Sequence, residues 1–223
     1  MNSRYERNVP ALTEAECEIL RGKRVLIVGC GGLGGYLIDM LARIGVGALR
    51  VVDGDVFEPS NLNRQLLSEV PLLGISKARA AAARVSRVNP EVTVEAVGAF
   101  LTEENVQNLL AHCDVVLDGL DNIESRRILE NACEQAKLPC IYGAVNGWVA
   151  QAAISMPGDH LMEMLYPKNS VLKNKSVLSF TPALCACVQV SLCVKLLTGR
   201  PVETGKLFYF DLLNQEFEAI PLA

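Results

Sequence analysis

The run Gly29-Cys30-Gly31-Gly32-Leu33-Gly34 constrains this chain more than any other feature. It directly follows a short apolar β-type run, Arg24 to Val28, and opens an amphipathic stretch from Leu33 to Ile44, so the glycines join a strand to a helix. In that setting a G-x-G-x-x-G lets backbone N–H groups approach phosphate, and the first turn of the helix favours negative charge. Asp53 ends the next strand, Leu49 to Val52, 19 residues past Gly34. A carboxylate there can accept hydrogen bonds from both ribose hydroxyls of an adenosine moiety and disfavours a 2′-phosphate.

Strand and helix patterns then alternate. A polar stretch from Asp53 to Leu73 leads to a helix from about Ser76 to Val88, a strand near Val92 to Val97, and a helix near Glu103 to Ala111. Strands at Asp114 to Leu117, Cys140 to Ala144 and Val149 to Ser155 flank a helix at Glu124 to Ala136. The expected class is α/β, a Rossmann-like, mainly parallel sheet flanked by helices. Pro157 to Lys175 has turn residues, charges and no period, and reads as a long loop or mobile segment of functional use. A buried helix near Pro182 to Leu197 and two closing strands, Lys206 to Asp211 and Glu216 to Ile220, give the carboxy-terminal end antiparallel character.

Half of the 223 residues are apolar, enough for one well-buried core and a single domain. With 21 basic against 25 acidic residues and a net charge of −4, bulk charge does not point to nucleic acid. Met1 to Pro10 has no apolar leader pattern and no run of 18 uncharged apolar residues occurs, so a cytoplasmic protein without a membrane role is expected. The eight cysteines include no C-x-x-C pair and are expected to be mostly small buried apolar residues. Cys185 and Cys187, two apart on the apolar helix, would face different directions. His112 and His160 are too scattered for a metal cluster.

The glycine loop and Asp53 suit a nicotinamide-dependent dehydrogenase equally well, and the following residues separate the two. Ser60-Asn61-Leu62-Asn63-Arg64-Gln65 places a guanidinium and several amides on the loop after the second strand. Lys77 follows a plausible N-cap, Ser76, in a first helical turn where a cation opposes the macrodipole by about 0.3–1 kcal/mol unless an anion is near. Asp121 follows the fourth strand and reaches the same carboxyl edge of the sheet, where a carboxylate could hold Mg²⁺ beside phosphate oxygens. Asp121 or Asn122 could equally cap the next helix. An arginine, a lysine and an acid around a glycine loop make sense for a triphosphate and are surplus for hydride transfer.

These residues, in the order Gly29 to Gly34, Val52-Asp53-Gly54-Asp55, Ser60 to Gln65, Gly74-Ile75-Ser76-Lys77 and Asp121-Asn122, resemble the ThiF/MoeB/HesA family, bacterial relatives of ubiquitin-activating E1 enzymes. The likeness covers about Ser3 to Ala144 closely and the remainder loosely. It implies one adenylation domain over residues 1–223, with 1–22 as an N-terminal arm and 157–180 as a crossover loop. It implies ATP and Mg²⁺ bound by Gly29, Gly31, Gly32, Gly34, Asp53, Asp55, Ser60, Asn61, Asn63, Arg64, Gln65, Lys77, Asp121 and Asn122. Within that set, Gly32 lies against the phosphates, Asp53 on the ribose, and Asp121 at the metal. Arg64, Lys77 and Asp121 would be catalytic, joined by Arg7. Arg4-Tyr5-Glu6-Arg7-Asn8 resembles the family's R-Y-x-R-Q stretch, whose second arginine reaches the partner subunit's ATP, so a homodimer is implied. The implied partner is a ubiquitin-like sulfur-carrier protein, ThiS- or MoaD-like and ending in Gly-Gly. Its terminal carboxylate would be adenylated for sulfur transfer in thiamin or molybdopterin-type cofactor biosynthesis.

Two departures matter. The family's paired C-x-x-C motifs are missing, so no zinc is expected, and Pro157 to Phe180 holds no cysteine, so thioester or persulfide chemistry on that loop is unsupported. Two rivals stand beside the adenylation reading. An NAD-dependent Rossmann oxidoreductase shares the glycine loop but has no histidine at a strand's carboxyl end to donate a proton. A non-catalytic E1-like binding protein would share every feature except turnover.

Overall fold

The computed structural model describes residues 3–167, 170 and 176–222. Strands β1 (Arg24–Val28), β2 (Ala48–Val52), β3 (Thr93–Val97), β4 (Val115–Asp118), β5 (Cys140–Asn146), β6 (Val149–Ser155), β7 (Lys206–Asp211) and β8 (Glu216–Pro221) form one sheet in the order β3-β2-β1-β4-β5-β6-β7-β8. The first five run parallel; β7 and β8 are antiparallel, as the sequence pattern indicates, and β6 already reverses against β5. Crossing from β3 to β4 takes the chain over β2 and β1, which opens a crevice at the carboxyl edge where the strand order reverses.

The helices are α1 (Glu14–Arg21), α2 (Gly32–Ile44), α3 (Lys77–Val88), α4 (Val106–Leu110), α5 (Ile123–Ala136), α6 (Leu161–Leu165) and α7 (Phe180–Leu197). Alternation along β1 assigns them to faces. Val25 and Ile27 join Leu37, Leu41, Ala81, Val190 and Cys193 of α2, α3 and α7, while Leu26 and Val28 join Leu109, Leu110, Leu129 and Cys133 of α4 and α5. Burial on both faces is what makes the central strands continuous apolar runs.

α7 is the described helix long and apolar enough to cross a membrane, and here it packs on α2, β5 and β6. Its Gln189 is fully buried, and Nε2 donates to the carbonyls of Asp118 at 2.9 Å and Ile141 at 3.1 Å. One amide thus ties the helix to the end of β4 and the start of β5. Gln189→Leu should cost about 1–3 kcal/mol by leaving these carbonyls without donors. A urea melt would check it, and an unchanged midpoint would show that the carbonyls find other donors.

The elements differ from the sequence pattern in three places. α1 forms inside the N-terminal arm, opened by a complete capping box in which Thr13 and Glu16 satisfy each other's backbone N–H. The stretch 157–175 is not all loop, because α6 forms within it, and a helix of five residues is too short to show a period. Residues 168, 169 and 171–175 of that stretch lie outside the described residues. The helix expected over Glu103 to Ala111 is only Val106–Leu110, since Thr102 and Asn105 bond each other across the turn that would have opened it.

Candidate active site

The carboxyl ends of β1, β2, β4 and β5, with the loop after β3, converge on a cavity of about 990 Å³. The β1–α2 turn is shaped by backbone contact. Gly29 has φ +95°, and a Cβ there would lie 2.5 Å from the Gly119 carbonyl oxygen, so the turns after β1 and β4 touch. Asp53 holds the loop open, its Oδ2 accepting from Cys30 N at 2.7 Å and its Oδ1 from Asp55 N at 2.8 Å. The carboxylate expected at a ribose therefore also orients the glycine turn.

Of the residues expected at the nucleotide, Gly29, Gly31, Gly32, Asp53, Asp55, Ser60, Asn63, Arg64, Gln65, Lys77, Asp121 and Asn122 all line this one cavity. Two do not. Gly34 sits behind the wall, where a Cβ would fall 1.7 Å from the Gly29 carbonyl oxygen, so it is glycine to let α2 approach the turn. Asn61 is buried, and its Oδ1 accepts from Glu58 N at 3.1 Å, shaping the turn that presents Ser60 and Arg64.

Lys77 begins α3 behind the N-cap Ser76, as the sequence suggests. The anion that offsets its position is a neighbour in the chain, for Nζ lies 3.1 Å from Asp55 Oδ2. The lysine side chain is 9% exposed and the aspartate 54%, so the pair faces the cavity with its acid outward. Its placement alone thus does not require polyphosphate, although Nζ remains at the wall. Arg64 donates through Nη1 to Ser60 O at 2.9 Å and Asn63 Oδ1 at 2.8 Å. Asn63 Nδ2 continues to Val177 O at 3.2 Å, joining the Arg64 loop to the chain entering α7. Gln65 Oε1 is buried and has no hydrogen-bond partner among the described residues.

At the β4 end, Asn122 caps α5 by accepting from Ser125 N at 2.9 Å. Asp118 is enclosed, its Oδ1 taking Leu120 N at 2.8 Å and its Oδ2 lying 3.1 Å from Arg126 Nε. Burial pushes its carboxyl up to about 6 against the opposing pull of Arg126. With Asp118 committed, Asp121 is the acid of this loop that reaches the cavity. Among the described residues no three His, Cys, Asp or Glu side chains form a metal cluster. A cation beside Asp121 would draw its remaining ligands from phosphate oxygens and water, the usual habit of Mg²⁺.

The arginine expected to act in trans, Arg7, is exposed and does not line the cavity of its own chain. Its 3-10 turn, Ser3–Asn8, is held by Arg4 Nη1 on Val88 O and Asn8 Nδ2 on Ile44 O, at the carboxyl ends of α3 and α2. The length of α2 puts that end about 18 Å from the glycine loop.

The second half of the cavity is built from the far part of the sheet and the chain beside it, by residues that no sequence motif names. Asn146, Gln151, Tyr166, Val177 and Tyr209 line it, with Arg126 beneath. Phe100, 64% exposed after β3, lies over Gly54, where a Cβ would stand 2.7 Å from its ring. Seven cysteines are buried and Cys187 is exposed, so Cys185 and Cys187 do face apart. Burial pushes the Cys185 thiol up to about 12, which suits a packing residue better than a nucleophile.

A family model described as the ThiF family matches residues 5–223. The SAMP-activating enzyme E1 of Haloferax volcanii is 36% identical over 210 residues, covering 91% of this chain and 77% of that protein. The molybdopterin-synthase adenylyltransferase of Haemophilus influenzae is 33% identical over 213 residues, covering 92% and 87%. Among solved structures, E. coli MccB with ATP superposes with TM-score 0.81 at 20% identity over 100% of this chain and 72% of that one, a likeness of fold. The chain belongs to the ThiF family and is an adenylyltransferase of that family.

Proposed function

We propose that this chain uses Mg-ATP to adenylate the terminal glycine carboxylate of a small ubiquitin-like sulfur-carrier protein, ThiS- or MoaD-like and ending in Gly-Gly. The acyl adenylate would feed sulfur transfer of the thiamin or molybdopterin-cofactor kind. The observation that carries this reading is the single cavity with two unlike halves. One is a glycine turn ringed by Arg64, Lys77, Asp53 and Asp121, and the other is a neutral channel past Asn146, Gln151 and Tyr209. ATP suits the first, and an extended, uncharged peptide tail suits the second. Gln65 Oε1 in the charged wall, without a partner among the described residues, is consistent with a polar ligand there.

In the reaction a carboxylate oxygen attacks the α-phosphorus. The new P–O bond forms as the bond to the bridging oxygen breaks, and the electron pair leaves with pyrophosphate. No protein nucleophile is needed, so the buried cysteines are no obstacle. Catalysis is positioning plus charge stabilisation. Gly31 and Gly32 present backbone N–H groups at the start of α2, Lys77 and Arg64 neutralise charge growing on the leaving group, and Asp53 holds the turn while receiving the ribose. Asp121 would hold magnesium, which when bound lowers the charge on the phosphates. Arg7 of a second copy is the proposed further cation, which calls for a homodimer.

Pyrophosphate–ATP exchange tests the reading. Exchange should appear only when a carrier ending in Gly-Gly is present and vanish when its last glycine is deleted. Calorimetry showing preference for NAD over ATP would favour the oxidoreductase instead. Tight ATP and carrier binding without exchange would mark a non-catalytic binder.

A further inference from the structure

Arg126 is 5% exposed, lies under the cavity where its two halves meet, and reaches three separate pieces of chain. Nη2 donates to Leu120 O at 2.7 Å, one residue before Asp121, and to Gly143 O at 2.9 Å on β5. Nη1 donates to the Tyr166 hydroxyl at 2.9 Å, just past α6, and that hydroxyl lies 2.6 Å from the hydroxyl of Tyr142. Nε lies 3.1 Å from Asp118 Oδ2, yet among the described residues it has no acceptor in hydrogen-bonding geometry. Asp118 therefore balances the charge, while the carbonyls and the hydroxyl set the direction of the fork. Serving a counter-charge alone would not require a planar group with five donors.

What the fork joins matters for the chemistry. Leu120 belongs to the turn that carries Asp121, and Gly143 precedes Ala144 to Asn146 in the channel wall. The α-phosphate and the incoming carboxylate have to meet between these two segments, and near-attack geometry is sensitive to displacements of about 1 Å.

We propose that Arg126 is a positioning residue for adenylation: by gripping the Leu120 and Gly143 carbonyls and the Tyr166 hydroxyl on one rigid fork, it keeps the Asp121 turn in register with the channel that delivers the substrate carboxylate. This rests on the function proposed above and concerns alignment of the two substrates rather than affinity for either.

Arg126→Lys keeps a positive charge opposite Asp118 but offers a single nitrogen to three acceptors. It should lower kcat of carrier-dependent exchange about 10- to 100-fold, with the ATP Kd and the carrier KM held within about threefold. Tyr166→Phe leaves the charge pair intact and frees one prong, so it should lower kcat in the same sense by less, and the double variant should fall no further than Arg126→Lys. An unchanged kcat in Arg126→Lys, or losses of kcat, affinity and melting temperature together, would overturn the assignment. Hydrogen–deuterium exchange on the ligand-free protein gives a readout independent of turnover. Arg126→Lys should raise exchange together in residues 119–122 and 143–146, and a rise confined to one of them counts against the joint. Wild-type protein without carrier-dependent exchange would remove the proposed function, and the exchange pattern would still decide for or against the joint.

Discussion

Lys77→Ala is expected to reduce carrier-dependent pyrophosphate exchange by about 10²-fold or more, and Arg64→Ala to reduce it by somewhat less. The ordering follows from what each change leaves behind. Arg64 is partly exposed and bonds Ser60 O and Asn63 Oδ1, so its loss takes away one cation and leaves those acceptors near solvent. Lys77 is buried against Asp55, and its loss also strands an exposed carboxylate at the wall proposed to face the phosphates. Repulsion from that acid adds to the missing attraction. Adding Asp55→Asn to Lys77→Ala should therefore recover part of the lost ATP affinity without restoring the rate, because neutralising the acid does not supply a cation to the leaving group. Calorimetry and exchange assays on both single variants and the double would check this. Unchanged exchange with steady ATP binding in either single variant would contradict the assignment of these cations.

How far the site was legible in the sequence depended on whether the determinant is local. The turn from β1 to α2, the acid at the end of β2 and the N-cap before Lys77 are set by residues within a few positions of each other, and all three lie where the sequence puts them. The same locality leaves two points open. Gly34 and Asn61 belong to the nucleotide motifs, but the motif does not say which members touch ligand and which shape the backbone behind it. Lys77 invited an anion, and the anion was Asp55, 22 residues earlier in the chain and adjacent only after folding. Arg126 is hidden in the sequence for the reverse reason. Its spacing from Asn122 is helical and visible, but its partners Gly143 and Tyr166 lie 17 and 40 residues away, and nothing in the local pattern separates it from Arg127 beside it.

Gly32→Ala and Gly34→Ala should separate ligand from scaffold within a single motif. In Gly34→Ala the new methyl would lie 1.7 Å from the Gly29 carbonyl oxygen, and since a Cβ has no alternative rotamer the turn itself must move. Overpacking against fixed backbone is expected to cost about 3 kcal/mol, or a melting-temperature drop of about 6–12 °C for a chain of this length. ATP affinity should fall with it, because the displaced segment includes Gly29 and Gly31. In Gly32→Ala the methyl would meet only the Pro182 side chain, at 3.8 and 4.0 Å, an ordinary contact, and alanine suits the first turn of α2 better than glycine by about 1 kcal/mol. Melting should stay level or rise slightly, while ATP affinity falls about 10-fold or more, because the methyl stands between the backbone N–H groups and the phosphate they are proposed to hold. Thermal melts paired with ATP calorimetry on the two variants read both quantities. Full ATP affinity in Gly32→Ala would remove phosphate from this turn, and with it the reason Arg64 and Lys77 face the same cavity. A fully stable Gly34→Ala would show that the turn after β1 yields to a methyl group, and that the contact between Gly29 and α2 does not set the shape of the cradle.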